Sequence, residues 1–209
     1  MSSTVAGHFH DHRQQSRANT LGLWIFLATE VLFFGALFAA YLIYRVLYPQ
    51  AFETAARETE IAIGTLNTAL LLTSSASVAM AVKTARLGQR RATMVLLGVT
   101  LALGLGFLAA KGFEYHSDLT KHLWPGSADF PLDPPQTRIF WALYWIMTGI
   151  HAVHVTAGLG LWAVILTMIA RRSFPLESSD KVEIAGLYWH LVDLVWIFLW
   201  PILYLVGRS

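Results

Sequence analysis

The chain has 209 residues, 56% of them hydrophobic and 13% charged, with a formal net charge of +2 and no cysteine. Soluble domains carry about a quarter charged residues, so lipid is the expected solvent for much of this chain, and its scattered basic residues form no patch of the kind that binds nucleic acid. The lack of thiols excludes disulfides, thiolate zinc, iron–sulfur clusters, a cysteine-bridged copper pair and covalently attached haem, leaving histidine and methionine as ligands for any redox group.

Residues 1–20 are polar, with His8, His10, His12, Arg13 and Arg17, and read as a cytoplasmic N-terminal segment. They hold no apolar run ending in a small-residue cleavage site, so the first helix is expected to direct insertion. The histidines read as a solvated tail in preference to a metal site.

Residues 21–209 read as one all-α domain, a polytopic bundle of five transmembrane helices. A bilayer core about 30 Å thick needs roughly 20 apolar residues, and 21–47, 61–84, 92–112, 139–170 and 184–206 meet that length. The fourth is longer than a span requires, which predicts tilt or projection into water. With the N-terminus inside, nine lysines and arginines fall on the inner side and six on the outer. The positive-inside tendency therefore predicts N-terminus inside and C-terminus outside.

The first span places Glu30 among Phe26, Phe33, Phe34 and Leu37. An ionisable group in hydrocarbon needs a partner, a proton or water, so Glu30 reads as a proton carrier, as a hydrogen-bond anchor for a lipid headgroup or a neighbouring histidine, or as a packing clamp. In the second span Asn67, Ser74 and Ser75 supply interhelical donors and acceptors. In the third, Gly98, Ala102, Gly106 and Ala110 recur every four residues and predict a smooth stripe for close helix approach. Glu114 with Tyr115 is expected to close that span at the outer surface, with Lys111 one turn back able to pair with the carboxylate. The loop 113–137 contains Pro125, Gly126, Pro131, Pro134 and Pro135, which predicts an ordered external crossover.

The fourth span carries Gly149-Ile150-His151-Ala152-Val153-His154, which turns both imidazoles toward roughly one face, kept open by Gly158. The pair reads as a hydrogen-bonded packing element, with metal binding as the sharper alternative. A haem site of the cytochrome b type needs histidines on facing helices; here the other intramembrane histidine is His190, and His116 and His122 lie in the loop. The last span puts Trp189, Asp193, Trp196 and Trp200 on one face, with Asp193 within reach of His190 and of an indole. Glu30, His154 and Asp193 all fall within about 6 Å of the midplane at 1.5 Å per residue, so they are expected to meet inside the bundle.

The ordered set Thr29-Glu30 with Phe33-Phe34, Leu66-Asn67-Thr68, Glu114-Tyr115, Gly149-xx-His151-xx-His154-Val155 and Tyr188-Trp189-His190-xx-Asp193-xx-Trp196 resembles subunit III of the haem-copper cytochrome c oxidases from about Gly22 onward. The resemblance implies a five-helix bacterial form in the cytoplasmic membrane, without haem or copper of its own. It implies a place beside oxidase subunit I, with subunit II in the complex and haem and copper in those partners, and it leaves open contact with other respiratory complexes. It also implies phospholipid held in an internal cleft and support for proton uptake and stability of the catalytic subunit. On it, Glu30 matches the family's buried carbodiimide-reactive glutamate. Glu30, Asn67, His151 and His154 are the expected buried polar or lipid site, and Glu114, Trp189, His190, Asp193 and Trp196 the expected packing residues.

Two features depart from the pattern. Lys111 stands where many members have glutamine, and Pro201 interrupts the last span; both resemble the related nitric oxide reductase accessory proteins. A quinol oxidase subunit III is a further alternative. A small proton-coupled transporter using Glu30 or Asp193 is the rival from another class, and it lacks the internal repeat or paired helix breaks common in such proteins. No serine, cysteine or metal constellation has catalytic spacing, so the chain is expected to belong to an enzyme without being the catalyst.

Overall fold

The computed structural model describes residues 12–173, 176 and 180–206; His8 and His10 lie outside that set. Six α-helices follow in order: α1 His12–Leu47, α2 Pro49–Arg57, α3 Ile61–Arg86, α4 Arg90–Thr120, α5 Thr137–Ala170 and α6 Asp180–Trp200, with a π-helical turn at Pro201–Leu205. Among the described residues there is no strand. Among the described residues five helices are long and apolar enough to cross a membrane: Thr20–Leu47, Ile61–Arg86, Arg90–Thr120, Thr137–Ala170 and Asp180–Leu205.

The third span therefore runs to Thr120, well past the expected end at residue 112, and the long loop shrinks to 121–136. That loop is tied down. Arg138 donates to the carbonyls of Pro125 and Ser127 at 2.9 and 3.0 Å while its guanidinium lies 4.6 Å from the Phe130 ring, and the Trp145 indole donates to Leu123 O at 3.0 Å. The short α2 has no counterpart among the predicted spans. Pro49 suits its first turn because a proline there sacrifices no intrahelical hydrogen bond. Its buried face of Ala51, Phe52, Ala55 and Ala56 meets α5, with Phe52 edge-on to Tyr41 and Phe140 at 5.3 and 5.6 Å.

Helices α3 and α4 form an antiparallel hairpin. Gly88, at φ 69°, takes the left-handed conformation that ends α3, and Gln89 N–H closes back on Thr84 O at 2.9 Å. Hydroxyls stitch the pair: Ser77 donates to Leu96 O at 2.8 Å, and Thr84 and Thr93 share a hydrogen at 2.9 Å. The face that α4 turns inward carries Thr93, Leu97, Thr100, Gly104, Phe107, Lys111, Glu114 and Asp118. The expected Gly98, Ala102, Gly106 and Ala110 stripe is not the close-approach face. Ala102 is exposed, and nothing approaches the Cβ position of Gly98. Close approach falls instead at Gly104, where a Cβ would lie 2.6 Å from Leu159, and at Gly158, where it would lie 2.7 Å from the Trp189 ring. Gly158 is thus a seat for an indole and not a gap left open beside His154.

Helix α1 stands apart. Of its described side chains only Leu27, Phe34 and Tyr41 are buried, seven residues apart, so one narrow seam attaches it to α5 and α6. Trp24, Ile25, Val31, Leu32, Leu42 and Val46 point outward, more than half exposed, as suits a lipid-facing surface. At the far end of α6, Pro201 brings no amide hydrogen, and the backbone widens into the π turn. Tyr41 spans from α1 to donate its hydroxyl hydrogen to Ile202 O in that turn.

Candidate functional site

Three groups of polar side chains inside the described bundle are candidates for a site. In the first, Glu30 on α1 and His154 on α5 meet at 3.0 Å between Oε2 and Nε2. His154 Nδ1 lies 2.9 Å from Ile150 O. A carbonyl only accepts, so Nδ1 carries hydrogen, and Nε2 either donates to the Glu30 carboxylate or accepts from the neutral acid. One proton is therefore shared across the contact in both forms. Phe34 packs edge-on to the His154 ring at 5.4 Å, and Tyr188 donates to His154 O at 3.1 Å.

This pair is not sealed: Glu30 and His154 remain 17% and 19% exposed. Phe34 also lines an apolar groove of about 200 Å³ between α1 and α6, walled by Val31, Gly35 and Phe38 on one side and Leu191, Leu194, Val195 and Phe198 on the other. A hydrogen-bonding head and an oily slot thus share one wall.

The two histidines part company. His151 is fully buried, 5.1 Å from the Trp196 ring and 5.6 Å from Phe107, and neither ring nitrogen has a hydrogen-bond partner. The expectation that His151 and His154 share a face fails because an i,i+3 step rotates a side chain by about 60°, enough here to send one ring to α1 and the other into the α4–α6 interior.

The second group joins α3 to α6. Trp189 donates to Ser74 Oγ and Trp196 to Thr68 Oγ1, each at 3.1 Å, and His190 Nδ1 lies 2.8 Å from Ser75 Oγ. Trp189 and Trp196 thus pack and hydrogen-bond within the chain, against α3. Asp193 is 3% exposed, and its carboxylate oxygens have no hydrogen-bond partner of good geometry; the neighbouring Ser75 hydroxyl is engaged by His190. Asp193 does not pair with His190 and does not join Glu30 and His154, because it faces the α3 side of the bundle. Asn67 is completely buried on α3 with its amide unpartnered.

The third group corrects the reading of Glu114. That residue is 1% exposed, not a surface carboxylate, and it pairs with an equally buried Lys111 at 3.0 Å. Lys111 Nζ also donates to Tyr144 on α5 at 2.9 Å and to Tyr204 in the π turn at 2.7 Å, so all three of its hydrogens are used. Tyr144 and Tyr204 donate to Glu114 Oε1 at 2.8 and 2.7 Å, and Asp118 Oδ2 lies 3.1 Å from the Tyr144 hydroxyl. Aromatic rings cover the ammonium, with Tyr144 and Tyr115 centroids at 4.6 and 5.0 Å. The spacing of Lys111, Glu114 and Asp118 on the inward face of α4 was the available signal for this cluster; the tyrosines that complete it come from distant sequence.

A family model described as cytochrome c oxidase subunit III matches residues 1–208 of the chain. The chain is 32% identical over 200 residues to a quinol oxidase subunit 3 of Bacillus subtilis, covering 93% of this chain and 90% of that protein. It is also 32% identical over 209 residues to a cytochrome c oxidase subunit 3 of a Synechocystis species, covering 98% of this chain and 83% of that one. A cytochrome bo(3) ubiquinol oxidase subunit 3 of Pseudomonas aeruginosa is 29% identical over 203 residues, covering 96% and 91%.

Proposed function

Because the chain belongs to the cytochrome c oxidase subunit III family and is an oxidase subunit of the haem-copper type, we propose that it acts as a cofactor-free membrane subunit docked on subunit I, holding phospholipid at Glu30 and His154. The observation that carries this reading is the half-open Glu30–His154 contact beside the apolar groove of α1 and α6. A lipid headgroup reaches the polar pair while an acyl chain lies along the groove, and the binding helps hold the otherwise loosely attached α1 in place.

In this reading the N-terminus faces the cytoplasm of a bacterium, and the bound lipid supports proton uptake and the durability of the catalytic subunit. Haem and copper reside in the partner subunits I and II, and the identity of the copurifying subunits distinguishes a cytochrome c oxidase from a quinol oxidase.

The test is Glu30→Ala in the purified oxidase. Tightly bound phospholipid, counted by mass spectrometry, is expected to fall and turnover-linked inactivation to accelerate while the subunit stays assembled. Unchanged lipid content with unchanged inactivation kinetics makes Glu30 a packing residue and ends the lipid reading.

A further inference from the structure

The Lys111 cluster contains more acceptors than its hydrogens can serve if both acids are ionised. Tyr144 Oη lies 2.9 Å from Lys111 Nζ, 2.8 Å from Glu114 Oε1 and 3.1 Å from Asp118 Oδ2. The phenol has one hydrogen to give. Whichever carboxyl receives it, the remaining oxygen–oxygen contact needs a hydrogen that only the acid itself can bring. Charge gives the same count. One buried ammonium faces two buried carboxyls, all at 1–2% exposure, and a surplus charge left in such an interior is costly.

Placement of that hydrogen follows from the donors. Glu114 receives three, from Tyr144 and Tyr204 on Oε1 and from Lys111 on Oε2. Asp118 has only the Tyr144 contact, and its buried Oδ1 has no partner. Hydrogen bonds stabilise the ionised form where they converge, so the carboxylate belongs on Glu114. The titratable groups facing Asp118 are Glu114, Lys111 and Tyr115 from α4, Lys121 just past its end and Tyr144 from α5, and Tyr204 of the π turn closes the cluster.

We propose that Asp118 is a proton-binding site: a neutral carboxylic acid, sealed between α4 and α5, that donates its hydrogen to Tyr144 and leaves Lys111 and Glu114 as a balanced pair. The hydroxyl between them makes the site a relay. If the Asp118 hydrogen passes to Tyr144 Oη as the phenol's own hydrogen passes to Glu114 Oε1, the O–H bond on Asp118 is replaced by one on Glu114 and the net charge is unchanged. The cluster thus stores one proton that either acid can hold.

Infrared difference spectra of the full chain in detergent test this at neutral pH. Subtracting Asp118→Asn from the unsubstituted chain is expected to leave the C=O stretch of a protonated carboxyl; a pair of carboxylate stretches in its place overturns the proposal. Should that variant fail to fold, Glu114→Gln gives a second reading. With Glu114 gone, Asp118 must become the counter-ion of Lys111, so the same protonated band is expected to vanish although Asp118 is still present. A protonated band that survives Glu114→Gln unchanged assigns the proton elsewhere and overturns the proposal too.

Discussion

Two of the acid–base contacts in this bundle, Glu30–His154 between α1 and α5 and Lys111–Glu114 along α4, differ in what reaches them. Glu30 and His154 meet at the seam of α1 with side chains 17% and 19% exposed, each with few other partners. Lys111 and Glu114 meet at 2% and 1% exposure inside a cage of tyrosines, and Glu114, Tyr144 and Tyr204 together satisfy every ammonium hydrogen. A buried pair repays its desolvation only when geometry and extra hydrogen bonds are both good. The sealed cluster has them and serves as a latch among α4, α5 and the π turn. The open pair leaves capacity for a ligand.

The sharpest way to break this contrast is Lys111→Met, which leaves buried acid groups without their cation. A loss of about 3–5 kcal/mol is expected, seen as a large drop in the thermal stability of the full chain, whereas Glu30→Ala should cost clearly less because lipid and water reach its site. Equal losses from the two would erase the distinction between latch and open site.

Packing offers a middle case. Gly158→Ala would put a Cβ 2.7 Å from the Trp189 ring, and overpacking of this kind costs about 1–3 kcal/mol. A melting temperature unmoved by that change would mean that α6 can slide on α5.

At the small end stands the exposed pair of Lys121 and Glu60, 2.9 Å apart with side chains 40% and 44% exposed. Solvent screening limits Lys121→Met to under about 1 kcal/mol. The hydrogen bond to Glu60 raises the Lys121 pKa above its ordinary value of 10.5. The pair's contribution is therefore fully present at neutral pH and disappears as pH rises through that raised value, so wild type and variant should converge in melting temperature in strong alkali.

The five spans were legible because length and apolarity alone define them. Helix α2 was not, since nine residues with alanines on their inner face resemble an ordinary loop segment. The pairing of Lys111 with Glu114 was legible from its i,i+3 spacing, but its depth was not. A run of charges near the end of an apolar stretch reads as the water boundary, and the tyrosines that carry the bundle past it lie 33 and 93 residues from Lys111. For the same reason Asp193 resembled a partner for Glu30: depth along a span is readable from the chain, whereas the direction a side chain takes around the bundle depends on which helices become neighbours.

The Glu30–His154 contact also has a history in time. Its members are 124 residues apart, and chains elongate at roughly 5–20 residues per second. The glutamate therefore emerges about 6–25 s before the imidazole it will meet. During that interval α1 stands without the imidazole its acid will meet, and the contacts made by Trp189, Trp196 and Tyr204, which emerge after His154, close later still.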